Sequence, residues 1–151
     1  MEPMSLEAMR ALVGTEIGVS EWIAIEQDRI VRFSEATDDF AAVHLDRGAA
    51  QATGFDDTFA QGFLTLSMLM RLQRDVLPEP AGMKSGFNYG FDRIRFLSPV
   101  MRGARIRGRF VLQRVEQLRS GGWQRAVTVT VEIEGEGKPA LVAEWIAYFT
   151  V

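Results

Sequence analysis

The chain has 151 residues, a net charge of −3 and no cysteine. That length is one domain with a core able to hide roughly 70% of the unfolded surface, and the absent thiol excludes disulfides, thiolate nucleophiles and cysteine-ligated metals. The acidic balance argues against a nucleic-acid partner, which needs a dominant cationic surface, and a single histidine excludes a multi-histidine metal centre within one chain.

From the N-terminus, Ser5 is placed to cap a short helix through Leu12, and Glu21 to Ile25 (EWIAI) alternates like a first strand. Gln27 to Ala36 puts Ile30, Val31 and Phe33 on one helical stripe that ends at TDD. Asp46 then caps DRGAAQATG, which stops at Gly54. Gly62 to Leu77 (GFLTLSMLMRLQRDVL) is apolar almost all round at first, so the sequence predicts a helix buried on every side, ended by Pro78 and Pro80.

After Lys84 the period changes to two. Val127, Val129, Val131 and Ile133 alternate with polar residues, as do Leu141, Ala143, Trp145, Ala147 and Phe149 with their neighbours, with turns at Ser120–Gly122 and Gly135–Pro139. One buried helix followed by long hairpin-linked strands predicts an α+β hot-dog fold: an antiparallel sheet wrapped around one long central helix. Residues 1–151 read as a single domain. The open sheet edge predicts a homodimer or higher homo-oligomer. No apolar run approaches about 18 residues and no signal-type core opens the chain, so a cytoplasmic protein without a membrane partner is expected. No D-x-D-x-D spacing suggests a magnesium or calcium cage.

Thr37 to Asp46 (TDDFAAVHLD) holds the one histidine, His44. Two readings compete on spacing alone. Asp39 and His44 projecting from a loop can hold a water and divide proton removal and delivery, or Asp38 or Asp39 caps a helix end and His44 packs between Val43 and Leu45. Seven arginines and no acid lie between Arg93 and Arg114. With Arg105, Arg107 and Arg109 on one strand face, they form either a clamp for phosphates or an outward solvated face.

The stretches FSEATDDFAAVHLDRGAAQATGF and AQGFLTLSMLMRL resemble the MaoC-like dehydratases, the family of (R)-specific enoyl-CoA hydratases, with their D-x-N-P-x-H-x-D loop and A-H-G-[FM]-L helix start. FNYGFDRIRFLSPVMRGARIRG resembles the N-Y-G-x-x-[KR]-[IV]-R-F-x-x-P-V segment of the branch related to nodulation protein N. The likeness covers about Glu16 to Phe149. It implies reversible syn addition of water to a trans-2-enoyl-CoA, giving the (R)-3-hydroxyacyl thioester. It aligns Asp39 and His44 with the catalytic pair and Gly62 with the glycine of A-H-G, whose N–H would meet the developing enolate oxygen.

Which of Asp39 and His44 is base and which acid stays open at this level. Asp38 stands at the family's Gly, Ala41-Ala42 at its Asn-Pro and Gln61 at its His. Gln61, Asn88 and Asp38 are the further candidates for substrate contact, and Asn88 is equally explained as a β-bulge or turn amide. No cofactor is implied, since coenzyme A enters only as part of the acyl-CoA substrate. The alternatives are a non-catalytic acyl-CoA-binding or scaffold protein of the same fold, and an acyl-CoA thioesterase. The last is disfavoured because Gly62 to Arg74 contains no carboxylate.

Overall fold

The computed structural model describes residues 2–151. Ser5 accepts a hydrogen bond from the Ala8 N–H at 3.1 Å and starts α1 (Leu6–Ala11), with Leu12 as its C-cap. Two short strands follow, β1 (Glu16–Val19) and β2 (Ile23–Ala24), then α2 (Gln27–Thr37), α3 (Ala42–Leu45) and α4 (Arg47–Ala52). The central helical segment is α5 (Gly62–Ser67) and α6 (Leu69–Leu72). Four long strands complete the chain: β3 (Ser85–Phe96), β4 (Arg105–Gln117), β5 (Trp123–Ile133) and β6 (Leu141–Thr150).

The sheet order is β1-β4-β5-β6-β3 with every neighbour antiparallel, and β2 pairs with β4 beside β1. Its inner face carries Phe110, Leu112, Val127, Val129, Val131, Leu141 and Ala143, all in one core cluster with Leu64, Met68, Leu69 and Leu72 of the helical segment. Period-two alternation is what allows this, because each strand sends every second side chain to the helix. The result is the hot-dog fold expected from the order of elements.

Two expectations need correction. EWIAI pairs only at Ile23–Ala24, and the earlier EIGV supplies β1. Alternation cannot reveal where a strand finds its partner: at Ser20 the side-chain hydroxyl accepts the Gly108 N–H at 3.0 Å, and the ladder is interrupted there. The central segment, expected to be buried on every side, stops regular helix at Leu72, with Met68 between α5 and α6. It also leaves a free flank, where Phe63 is 68% and Met70 50% exposed. One face is held by the sheet, and the other is only partly covered among the described residues, with Phe63 edge-on to Phe96 and Met70 beside Asn88.

The arginine face is also settled. Arg105 pairs with Glu134 at 3.2 Å, Arg107 with Glu132 at 2.6 Å, and Arg109 with Glu132 at 2.8 Å and Glu16 at 2.7 Å, all on the outer sheet face. Arg107 also stacks over Trp22 at 4.4 Å. Carboxylates from neighbouring strands therefore occupy these guanidinium groups, and the solvated-face reading holds rather than the phosphate clamp.

The bond from Arg109, with a second from Arg107, holds the Glu132 carboxyl below the usual glutamate range. A depressed folded-state pKa stabilises the fold above the ordinary value near ~4.3, and that stability is lost as pH falls through the folded value. Glu132→Gln is expected to cost about 1.5–3 kcal/mol at pH 7, the scale for hydrogen bonds to charged groups, and the gap to wild type should close in acid. Urea midpoints for both proteins at neutral pH and near pH 3 check this.

Candidate active site

Helix α2 ends because Asp38 takes a left-handed conformation, φ 57°, which closes the helix and leaves its side chain exposed. Asp39 follows, and its Oδ1 accepts the Ala41 N–H at 3.4 Å, the local turn that aspartate side chains favour. The expectation of a loop here is corrected. Ala41 accepts from the His44 N–H at 3.0 Å and Ala42 from the Asp46 N–H at 2.8 Å, so α3 is one turn of helix built by backbone alone. Ala42 suits the first helical position, and Ala41 serves as an N-cap in non-helical backbone without a side-chain cap bond. Asp46 then caps α4 as expected, accepting the Ala49 N–H at 2.7 Å.

His44 is half-buried, with its ring edge-on to Phe59, centroids 5.0 Å apart. Its Nδ1 lies 2.7 Å from the Phe59 carbonyl oxygen. A carbonyl only accepts, so Nδ1 carries a proton, and in the neutral ring the lone pair sits on Nε2. The carbonyl of His44 in turn accepts from Gln27 Nε2 at 2.8 Å, while Gln27 Oε1 accepts the Thr58 hydroxyl at 2.6 Å. Gln27, Thr58 and Phe59 thus lock the start of α2, the α3 turn and the approach to α5 together. The sequence reading missed all three, since no local pattern links position 27 with 44 or 58.

Three residues beyond Phe59, Gly62 opens α5 beside a cavity of about 260 Å³ lined by Phe59, Gly62, Thr65, Phe96 and Pro99 among others. The Gly62 N–H has no protein acceptor among the described residues, as is usual for the first turn of a helix. A Cβ at this position would stand 3.2 Å from the Phe96 ring, so glycine keeps the cavity wall clear.

Gln61 is buried at 2% exposure and donates to Ser34 Oγ at 2.8 Å, so its side chain ties α5 to α2. Asn88 projects from β3 toward Met70 Sδ at 3.4 Å. It lines a second, larger cavity of about 610 Å³ near the other end of the helical segment. The structure therefore joins His44 to the Gly62 end through Phe59 and sets Asp39 on the turn that leads into α3. Among the described residues, Asp38 and Asn88 make no hydrogen bond to that group.

The sequence model of the MaoC like domain matches residues 9–136. The chain belongs to this family. This MaoC-like chain is 45% identical to nodulation protein N of Rhizobium meliloti (strain 1021) over 148 residues, 97% of it and 92% of the relative. It is 40% identical to 3-hydroxyacyl-thioester dehydratase Z of Mycobacterium tuberculosis (strain ATCC 25618 / H37Rv) over 145 residues, 96% of it and 95% of the relative. In three dimensions it resembles the (R)-hydratase of A. caviae involved in PHA biosynthesis, with TM-score 0.73 and 21% identity over 89% of this chain and 94% of that one. At that identity the likeness speaks to the fold.

Proposed function

We propose that this MaoC-like chain is an (R)-specific enoyl-CoA hydratase, a hydro-lyase that adds water reversibly to trans-2-enoyl-CoA. Similarity to a 3-hydroxyacyl-thioester dehydratase over nearly the whole chain supports the reaction class. The observation that carries the reading is the His44 Nδ1–Phe59 bond, which leaves Nε2 as a proton acceptor on a ring tied to Phe59, a residue of the Gly62 cavity wall. In the hydration direction Nε2 takes a proton from a water oriented by Asp39 as its oxygen bonds to the β-carbon. The imidazolium returns that proton to the α-carbon on the same face, which yields syn addition. The Gly62 N–H stabilises the thioester oxygen as enolate charge builds, a contribution of about 3 kcal/mol for donors of this kind.

The thioesterase alternative lacks its carboxylate here: Asp75, beyond the helical segment, is exposed and paired with Arg71 at 3.3 Å. Assaying crotonyl-CoA and longer enoyl-CoAs for loss of enoyl absorbance, with thiol release in parallel, decides among the readings. Hydration without thiol release is expected. Thiol release alone would turn the assignment to a thioesterase, and inertness toward every thioester to a binding or scaffold protein.

Gln27 is a positioning residue in this scheme. Gln27→Met keeps the side-chain length and removes both bonds to the site, and misplacing a reacting group by about 1 Å costs up to ~100-fold. The variant should lose about 10- to 100-fold in kcat with KM little changed, while Gln27→Glu, which keeps the bond from Thr58, should lose less. Steady-state kinetics on the best enoyl-CoA checks both.

A homodimer completes the proposal. Strand β3 is the sheet edge, its outer side has no partner among the described residues, and Phe87, Tyr89 and Phe96 along it are exposed. Antiparallel pairing of β3 with itself satisfies two-fold symmetry and covers that edge.

A further inference from the structure

The larger cavity holds an unusual wall. On β5, Val127, Val129, Val131 and Ile133 face the core, and the same parity turns Arg125 inward at the strand's end. Its guanidinium donates from Nη1 to the Pro78 carbonyl at 3.1 Å and has no carboxylate within salt-bridge distance among the described residues. Around it the cavity of about 610 Å³ is lined by apolar Met70, Leu77, Met83 and Phe149 and by polar groups of Gln73, Asn88 and Tyr148 among others. Trp145, 3% exposed, stands in the same wall, and its indole N–H has no acceptor among the described residues.

A guanidinium drawn inward with no carboxylate bonded to it is costly, and its planar fork matches a carboxylate. The other charged groups at the cavity are Arg74 and Glu79, both exposed, so the lining carries a net positive charge. Burial lowers the pKa of Arg125, and the field of Glu79 raises it by less. Met70, which lines this cavity, lies eight residues from Gly62, which lines the smaller one. At the helical rise the two are about 12 Å apart, the span of a medium acyl chain.

We infer that this cavity binds an acyl chain ending in a carboxylate, with the carboxylate received by Arg125. Two sources share that chemistry: the far end of an enoyl thioester substrate, which rests on the hydratase reading, and a free fatty carboxylate, which does not. The test therefore has a binding arm and a turnover arm. In the first, titration calorimetry with decanoate and with decan-1-ol is run on wild type and Arg125→Met. Wild type should bind decanoate at least tenfold more tightly than the alcohol, and the variant should lose that preference while still binding the alcohol.

In the second arm, kcat/KM is compared for trans-2-decenoyl-CoA and its analogue carrying a terminal carboxylate. A preference for the carboxylate that falls at least tenfold in Arg125→Met assigns the site to the substrate. Arg125-dependent decanoate binding without discrimination in turnover, or with no turnover of any enoyl-CoA, assigns it to a free carboxylate. In the last case the hydratase reading fails while the site stands. Equal treatment of carboxylate and uncharged chain end by wild type in both arms overturns the inference, and that comparison decides alone should Arg125→Met not fold. Equal weakening of both ligands by the variant also overturns it, leaving Arg125 only its bond to Pro78. Arg125→Lys, which keeps the charge without the fork, should retain part of the preference.

Discussion

His44→Gln should lower kcat for enoyl-CoA hydration by about 100- to 10,000-fold, the range for removing a positioned acid–base group. Glutamine can still donate to the Phe59 carbonyl as His44 Nδ1 does. It fills similar space, yet it offers no nitrogen able to take a proton and return it. The loss should fall on kcat, with thermal stability near that of wild type. Asp39→Asn is expected to act in the same direction, because an amide orients water with one acceptor fewer and no charge. Since a pair acting on one water works as a unit, the double variant should be little worse than the poorer single one. A His44→Gln protein with unchanged kcat would remove His44 from the chemistry.

Phe110→Ala should cost about 3–5 kcal/mol, the scale for deleting a buried aromatic ring. Phe110 is fully buried on the inner face of β4 and pairs with Val129 of β5. Its ring lies against Gly108, where an added Cβ would approach the ring to 2.7 Å and Leu72 Cβ to 3.2 Å. Sheet and helix therefore meet with no spare room, and the surroundings can collapse only partly into the space left by the ring. Against a total stability of about 5–15 kcal/mol, that loss consumes a large share of the fold. The urea midpoint should drop sharply while the slope stays unchanged. A shift under about 1 kcal/mol would mean that the ring is not part of the sealed core.

The sequence by itself determined the elements whose signal is local. Ser5 and Asp46 cap helices through bonds to N–H groups three residues ahead. The alternating valines mark β5 because burial on one face repeats every second residue. Gly62 and the apolar run after it mark the central segment. Resemblance to the family's loop and helix-start motifs, rather than spacing alone, indicated Asp39, His44 and Gly62, the residues on which the proposed chemistry rests, while Arg125 was not singled out, although strand parity extended back from Val127 reaches it.

Only the tertiary structure decided matters that depend on what distant segments bring. The tautomer of His44 is set by a carbonyl fifteen residues away, and the clamp on its backbone by Gln27. Arg105, Arg107 and Arg109 read as an unopposed basic run until the sheet set Glu16, Glu132 and Glu134 beside them. Asn88 lies near Met70 rather than at the helix start because its register against β6 puts it opposite Ala147. Capping and alternation are short-range effects written in adjacent residues. A proton's location or a charge's partner is settled by groups that meet only when the sheet closes around the helix.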